Sequence, residues 1–325
     1  MKPICSIVIR AYNEEKHIGR LLTGITQQNV QPVQIILVDS GSTDATAAIA
    51  SRYPVDLVQI RPEDFTFGRS LNLGIQAARA DFVVMASAHV YPVYPDWLER
   101  LLAPFADEQV GLAYGKQRGA ETSHFSEHQV FARWFSDVPV HHQAHPFCNN
   151  ANAAIRRALW ERHPYDETLP ALEDLAWARW AQEQGWWVSY AAEAEIIHVH
   201  QETWRGVYNR YRRDGMAFKR IYPQEHFTLA DLMRLWVSNV ATDWQAAARQ
   251  KALRAQWSSV LRFRWMQFWG TYQGYRQSGP LTWNLRQTFY YPHSSQTSPQ
   301  TARRSVRPIP YGETLDAGAG KDGGL

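Results

Sequence analysis

Residues Val83–Pro92 read VVMASAHVYP. Four apolar residues, Val83-Val84-Met85-Ala86, run into Ser87-Ala88-His89 and then a turn at Pro92. This is the pattern of a buried strand that stops at a polar tip, and the carboxyl tips of strands are where open parallel sheets bind their ligands. Working outward, CSIVIRA (Cys5–Ala11), VQIILVDS (Val33–Ser40) and VDLVQI (Val55–Ile60) give three more strand signals upstream. Helical stretches separate them. Asn13–Gln28 places Ile18, Leu21, Leu22 and Ile25 on one stripe, with Glu14 and Glu15 favourable in its first turn. Ser42–Tyr53 opens on Ser/Thr/Asp capping residues, and Gly68–Arg79 reads as a third helix. This βαβαβαβ order predicts an α/β protein with a parallel sheet and helices on both faces.

Downstream, Tyr94–Phe105 reads as a helix and Val110–Gln117 as a strand. Residues 120–147 are polar, aromatic and histidine-rich, the character of a long functional loop with a helical piece. Asn149–His163 and Leu172–Gly185 read as two helices, and Trp186–His200 as strand segments. From Trp204 to Tyr275 the pattern is helical. Ser294–Leu325 is rich in Ser, Thr, Pro and Gly and is expected to be disordered. The organisation expected is therefore a sheet domain over 1–203, a basic and aromatic helical extension over 204–291, and a tail over 292–325.

With 45% hydrophobic and 20% charged residues in 325, the chain has a globular composition. Cys5 and Cys148 stand alone, without the spacing of a disulfide framework or zinc ribbon, which fits a reducing cytoplasm. No secretory signal or run of ~18 apolar residues is visible, so an integral membrane protein is not expected. The net charge of +3 is uneven: residues 201–290 carry fourteen Lys/Arg against five Asp/Glu. That asymmetry points to an anionic partner for the second half. Its helices interleave Arg with Trp, Tyr and Phe, which suits an anionic bilayer surface, nucleic acid, or a plain helical subdomain; nucleic acid is not the favoured partner.

The strand tips gather Tyr12 and Asn13, then Asp39-Ser40-Gly41-Ser42, then Ser87-Ala88-His89. A base stacked on Tyr12 with Asp39 accepting from ribose or base is one reading. A helix cap with a turn glycine is the other reading of DSGSTD. GxGxxG and GxxxxGK[ST] are both absent, which disfavours dinucleotide and P-loop sites.

SIVIRAYNEE followed by ILVDSGSTDAT resembles the opening of family 2 glycosyltransferases, which have the GT-A nucleotide-sugar-binding fold. EDFTFGRSLNLGIQAARADFVVMASAHVYP, NNANAAIRR, LEDLAWARWAQEQGW and IIHVH extend the likeness over roughly residues 4–200, and it is most similar to the bacterial rhamnosyltransferase-like branch. The resemblance implies that Tyr12, Asp39 and Arg69 hold the nucleotide, with Asn13, Glu14 and Ser40 in the same loops and Asn150 and Asn152 near the donor sugar. It places Ser87-Ala88-His89 where an Asp-x-Asp normally binds the divalent metal. His200, or His198, falls where some members supply a further ligand. Three readings of His89 stand open. His89, His198 and His200 together make a metal site, for Mn²⁺ better than Mg²⁺; basic side chains replace the metal while His89 bonds phosphate; or the site is retired. Asp174, preceded by Glu173, matches the general base of inverting members, although acids also suit a helix's first turn on electrostatic grounds alone.

The implied activity is inverting transfer of a sugar from a nucleotide-diphosphate donor to a surface-glycan or lipid-linked acceptor. The implied place is the cytoplasm or the inner membrane face. The alternative is a non-catalytic nucleotide-sugar sensor or scaffold.

Overall fold

Alternation along one strand, β1 (Cys5–Ala11), builds both halves of the core. Cys5, Ile7, Ile9 and Ala11 face one layer of helices and Val8 faces the other. In the computed structural model, which describes residues 2–200, 202–276 and 306–311, β1 is flanked in parallel by β2 (Val33–Asp39) and β4 (Phe82–Ser87). β3 (Val55–Gln59) continues the parallel set beyond β2. One face is covered by α1 (Ile18–Thr26), α2 (Thr46–Ala50) and α4 (Trp97–Leu102). The other is covered by α3 (Phe67–Gln76), α5 (Phe125–Trp134), α6 (Arg157–Arg162) and α7 (Glu173–Glu183). Burial on both faces is why the first strands read as continuous apolar runs.

The sheet is mixed beyond β4. Its order is β3-β2-β1-β4-β7-β6-β8-β5, with β5 at Val90–Pro92, β6 at Val110–Gly119, β7 at Asn152–Arg156 and β8 at Trp187–His198. β7 is antiparallel to both neighbours, β6 and β8 run parallel, and β5 is antiparallel to β8. The helix expected over Asn149–His163 is thus β7 followed by α6. Its alanines favour a helix locally, but Asn152–Ile155 are enclosed between β4 and β6, and that placement overrides the preference. The helix expected from Asn13 starts only at Ile18, because Asn13 adopts a left-handed φ of 55° and the following residues bond across to the 42–46 loop. Glu14 and Glu15 are therefore loop residues.

A third apolar cluster joins Leu175 of α7 to α8 (Trp204–Ile221), α9 (Leu229–Arg249) and α10 (Leu253–Arg276) through Phe218, Leu232, Leu235 and Phe268. α8 and α10 approach closely at glycines: a Cβ on Gly270 would lie 2.5 Å from the Tyr208 carbonyl oxygen, and one on Gly274 would overlap that of Arg212. Inside the helical layer Arg264 of α10, 2% exposed, makes a two-pronged contact with Asp243 of α9 at 2.8 Å and also donates to the Ser126 carbonyl of α5. Of the tail expected to be disordered, residues 306–311 lie along β5. Ile309 N–H donates to the Val93 carbonyl at 3.0 Å and the Tyr311 hydroxyl to that of Pro92 at 2.6 Å. The rest of 292–325 lies outside the described residues. No helix among the described residues is long and apolar enough to cross a membrane.

Asp243→Ala strands the Arg264 charge in the interior and is expected to cost about 3–5 kcal/mol in urea unfolding. A loss of only ~0–1 kcal/mol, the value for a solvated pair, would show that the ion pair does not anchor the helices.

Candidate active site

The carboxyl edge of the parallel strands carries two interlocked loops. Asn13 donates its N–H to the Ser42 hydroxyl and accepts from Thr43 N–H through Oδ1, at 2.9 and 2.8 Å. Asp39, 3% exposed, accepts the Ser42 N–H across the turn at Gly41, whose φ is 82°. Of the helix-cap reading of DSGSTD only the turn glycine is present, since α2 begins at Thr46 after Ala45, without a side-chain cap. Ser40 Oγ donates to the Ala11 carbonyl. Tyr12 stands 55% exposed above this floor, with a ring face open for stacking. Arg69 lies at the start of α3, half-exposed, and pairs with Glu167 at 3.5 Å.

Beside these loops β5 follows directly on His89. Val90 pairs with His198, and Val199 N–H donates to the His89 carbonyl at 3.0 Å. This brings three imidazoles together. The His89 and His198 rings stack with centroids 5.0 Å apart, and those of His198 and His200 are 4.0 Å apart. One nitrogen from each lies within 4.8 Å of the others. Each Nδ1 has an acceptor of its own: Glu14 Oε1 for His89 at 2.7 Å, Gln117 Oε1 for His198 at 2.8 Å and Glu127 Oε1 for His200 at 2.7 Å. A carboxylate only accepts, so His200 carries its proton on Nδ1 and its Nε2 is a lone pair. That Nε2 lies 2.9 Å from the Nε2 of His198. Burial, with the charge of Arg210 adding to it, holds both His198 and His200 well below the ordinary histidine pKa and keeps them neutral. Glu127 and Glu202 also gather near His200, but Arg210 already sits between them at 2.6 and 2.7 Å.

The second cluster is at the start of α7. Leu172 precedes it with φ 57°, a left-handed conformation that costs a leucine on the order of 1–3 kcal/mol and is characteristic of functional sites. Glu173 pairs with Arg10 of β1 at 3.2 Å. Asp174 accepts the Asn150 N–H at 3.0 Å and its neighbour Leu175 N–H at 2.8 Å. Burial, and next the charge of Glu173, raise the Asp174 carboxyl to about 7, against the lowering effect of these N–H groups and Arg10. A cavity of about 170 Å³ lies against His198 and His200 and reaches Leu172 and Asn149, which are close in sequence to Asp174 and Asn150; Phe131 and Phe218 also line it.

Asn150 is 3% exposed and orients Asp174 through its backbone. Asn152 is fully enclosed: its amide donates to the Lys116 and Ala194 carbonyls and accepts from Trp97 Nε1. It thus has an internal role in place of the sugar contact the resemblance implied, since its hydrogen-bonding groups are already engaged. Ser87 closes β4, and Ala88 is packed in the core with only its backbone facing the turn. Glu14, expected at the nucleotide, orients His89. Sequence reasoning missed Gln117 and Glu127, which stand in no motif, and Arg10, which lies within SIVIRAYNEE but inside β1 rather than in the loop at its tip. His141 and His142 lie against Trp187, apart from the triad.

The family model described as glycosyl transferase family 2 matches residues 6–163, just under half of the chain. Among curated relatives, the O-antigen chain rhamnosyltransferase WbaN of Salmonella anatum is 29% identical over 209 residues, 58% of this chain and 64% of its own. The O-antigen chain rhamnosyltransferase RfbN of Salmonella typhimurium is 26% identical, over 65% of this chain and 71% of its own. The chain therefore spans just under two thirds of the former and somewhat more of the latter. In structure it is similar to the mannosyltransferase PcManGT from Pyrobaculum calidifontis, solved with GDP-Man and Mn²⁺, at a TM-score of 0.57 and 21% identity over 85% of each chain. It is also similar to S. aureus TarS 1-349 with UDP-GlcNAc, at 0.52 and 16% over 84% and 91%. The fold is thus GT-A-like, as the sequence motifs implied.

A carboxyl raised on folding binds more protons in the native than in the unfolded state between the ordinary Asp range and about 7. Its contribution therefore turns against stability as pH rises through that window. Relative to wild type, Asp174→Asn is expected to gain in Tm as pH moves from 5 to 8. A difference in Tm independent of pH would show that the carboxyl is not held protonated.

Proposed function

We propose that the protein is an inverting glycosyltransferase that moves a sugar from a nucleoside-diphosphate donor to a hydroxyl of a surface or lipid-linked glycan. The observation that carries this is Asp174, a buried carboxyl raised to about 7 and held by the Asn150 N–H, two residues along from Leu172 in the wall of the cavity. A base with that affinity is half deprotonated near neutrality and takes up a proton readily, the compromise general-base catalysis requires. In the proposed step the acceptor oxygen attacks the anomeric carbon from the face opposite the diphosphate. The bond to the diphosphate oxygen breaks, and the hydroxyl proton passes to Asp174. Glu173, paired with Arg10, keeps negative charge beside Asp174 and so sustains its basicity.

Tyr12, Asp39, Ser40 and Arg69, with the backbone of Ser87 and Ala88, are the proposed nucleotide cradle. The exposed ring of Tyr12 supports this reading. His89, His198 and His200 fit a divalent metal: three imidazole nitrogens converge, and each ring is held by a partner on its far nitrogen, as metal-bound histidines are. Such an ion supplies charge neutralisation for the leaving diphosphate. The names of the two Salmonella relatives favour a rhamnosyl donor. The aromatic cavity is the proposed acceptor side. A place at the cytoplasmic face of an anionic membrane is supported by the basic excess of residues 201–290 and by exposed Leu229, Met233, Val237 and Trp257 on α9 and α10.

The test is donor turnover as a function of pH. The rate is expected to rise through about pH 7 and level above it, because the base must be deprotonated. Asp174→Asn is expected to lose about 10²–10⁴-fold of it. Turnover retained in Asp174→Asn would remove the base assignment, and nucleotide binding without turnover would favour a sensor instead.

A further inference from the structure

From His89, His198 and His200, each oriented by its own acceptor, we infer that this chain holds a nitrogen-preferring transition-metal dication of the zinc, cobalt or iron type by itself, before any nucleotide arrives, and discriminates against Mg²⁺. The inference rests on the metal reading above and deepens it.

The first argument is geometric. His198 and His200 approach through their Nε2 atoms at 2.9 Å, a separation at which two imidazoles can share one ion, while the Nδ1 of each is held by Gln117 or Glu127. His89 adds a third nitrogen: its Nδ1 is engaged by Glu14, which leaves Nε2 as the lone pair.

The second argument is the donor set. Three imidazoles suit zinc and the later first-row metals, whereas Mg²⁺ requires oxygen ligands and sheds water reluctantly. An aspartate at position 89 would supply such an oxygen, and this chain has none there.

The third argument is preorganisation. His198 is buried at the end of β8, His89 is fixed by the β5 pairing, and Glu127, which holds His200, is itself 1% exposed. All three ligands come from the protein and are locked before a ligand binds, so the nucleotide is not needed to complete the protein's share of the site. Because imidazole ligands bring no negative charge, as carboxylates would, the ion keeps its full double charge for the diphosphate. Glu14, Gln117 and Glu127 are positioning residues in this account.

The test is titration of the full, metal-stripped chain with Zn²⁺, Co²⁺ and Mg²⁺ by calorimetry without nucleotide, together with the visible absorption of the Co²⁺ form. One Zn²⁺ or Co²⁺ per chain is expected, tighter than Mg²⁺ by on the order of 100-fold, with a ligand-field band that His89→Gln abolishes. Glu14→Gln leaves all three ligands in place and is expected to weaken binding about 10–100-fold. His89→Asp is expected to raise Mg²⁺ affinity and lower that for Co²⁺. Circular dichroism checks that each variant folds. Equal or tighter Mg²⁺ binding, or Co²⁺ binding only in the presence of nucleotide, would overturn the inference while leaving a metal site in place. No binding of any dication, with or without nucleoside diphosphate, would overturn the metal reading itself and place a shared proton between His198 and His200.

Discussion

The antiparallel pairing of Val90–Pro92 with Ile196–His198 is the constraint on which the rest of the site depends. A parallel sheet delivers its strand tips to one edge, but His89 leaves β4 and His198 leaves β8, three places away in the sheet order. Only a chain that turns back after His89 and adds a short strand to the far side of β8 can set these rings face to face. The three residues of β5 do this with backbone hydrogen bonds, so the side chains at the tip are left free for chemistry. The mixed sheet follows from the same requirement, since β7 must run against β4 to bring Asn150 back beneath the start of α7.

Two electrostatic environments result, of opposite character. Around His198 and His200, burial disfavours charge, and the nearby cation Arg210 is compensated by Glu127 and Glu202. At α7, burial and a neighbouring acid act in the same direction on Asp174, and Arg10 offsets only part of this. A site that must stabilise an anionic leaving group while accepting a proton has use for both. The helical layer joins them, because Leu175, next to Asp174, packs into the same apolar cluster as Phe218 and Leu232. The distorted backbone at Leu172 lies at that junction, where close packing on both sides can hold it.

Three of the parallel strands, β1, β2 and β4, were legible in the sequence because burial on both faces writes itself as apolar runs. β3, half exposed at the sheet edge, was legible from apolar residues interrupted by polar ones. The motifs at the strand tips carried the family resemblance. β7 was not legible: Ala153 and Ala154 carry no strand preference, and their conformation is set by β4 and β6 rather than by themselves. Nor was the start of α1, since a left-handed Asn13 depends on the Ser42 and Thr43 contacts some thirty residues away. His89, His198 and His200 could be named from their place at strand ends. Their partners Gln117 and Glu127 could not, because a buried polar residue far along the chain leaves no periodic trace. Asn152 shows the reverse error, in which a residue within a recognised motif serves the interior.

The segment at residues 306–311 gives the architecture a closed circuit. Ile309 and Tyr311 bond to the carbonyls of Val93 and Pro92, and the Tyr311 ring meets that of Tyr91 edge to face, on the strand that directly follows His89. A fragment ending after α10 would retain every histidine and every acid of the site, yet lose the clasp on the one short strand that aligns them. The chain's last described residues thus bear on an active centre that belongs, by motif, to its first two hundred, and the length needed for alignment exceeds the length needed for chemistry.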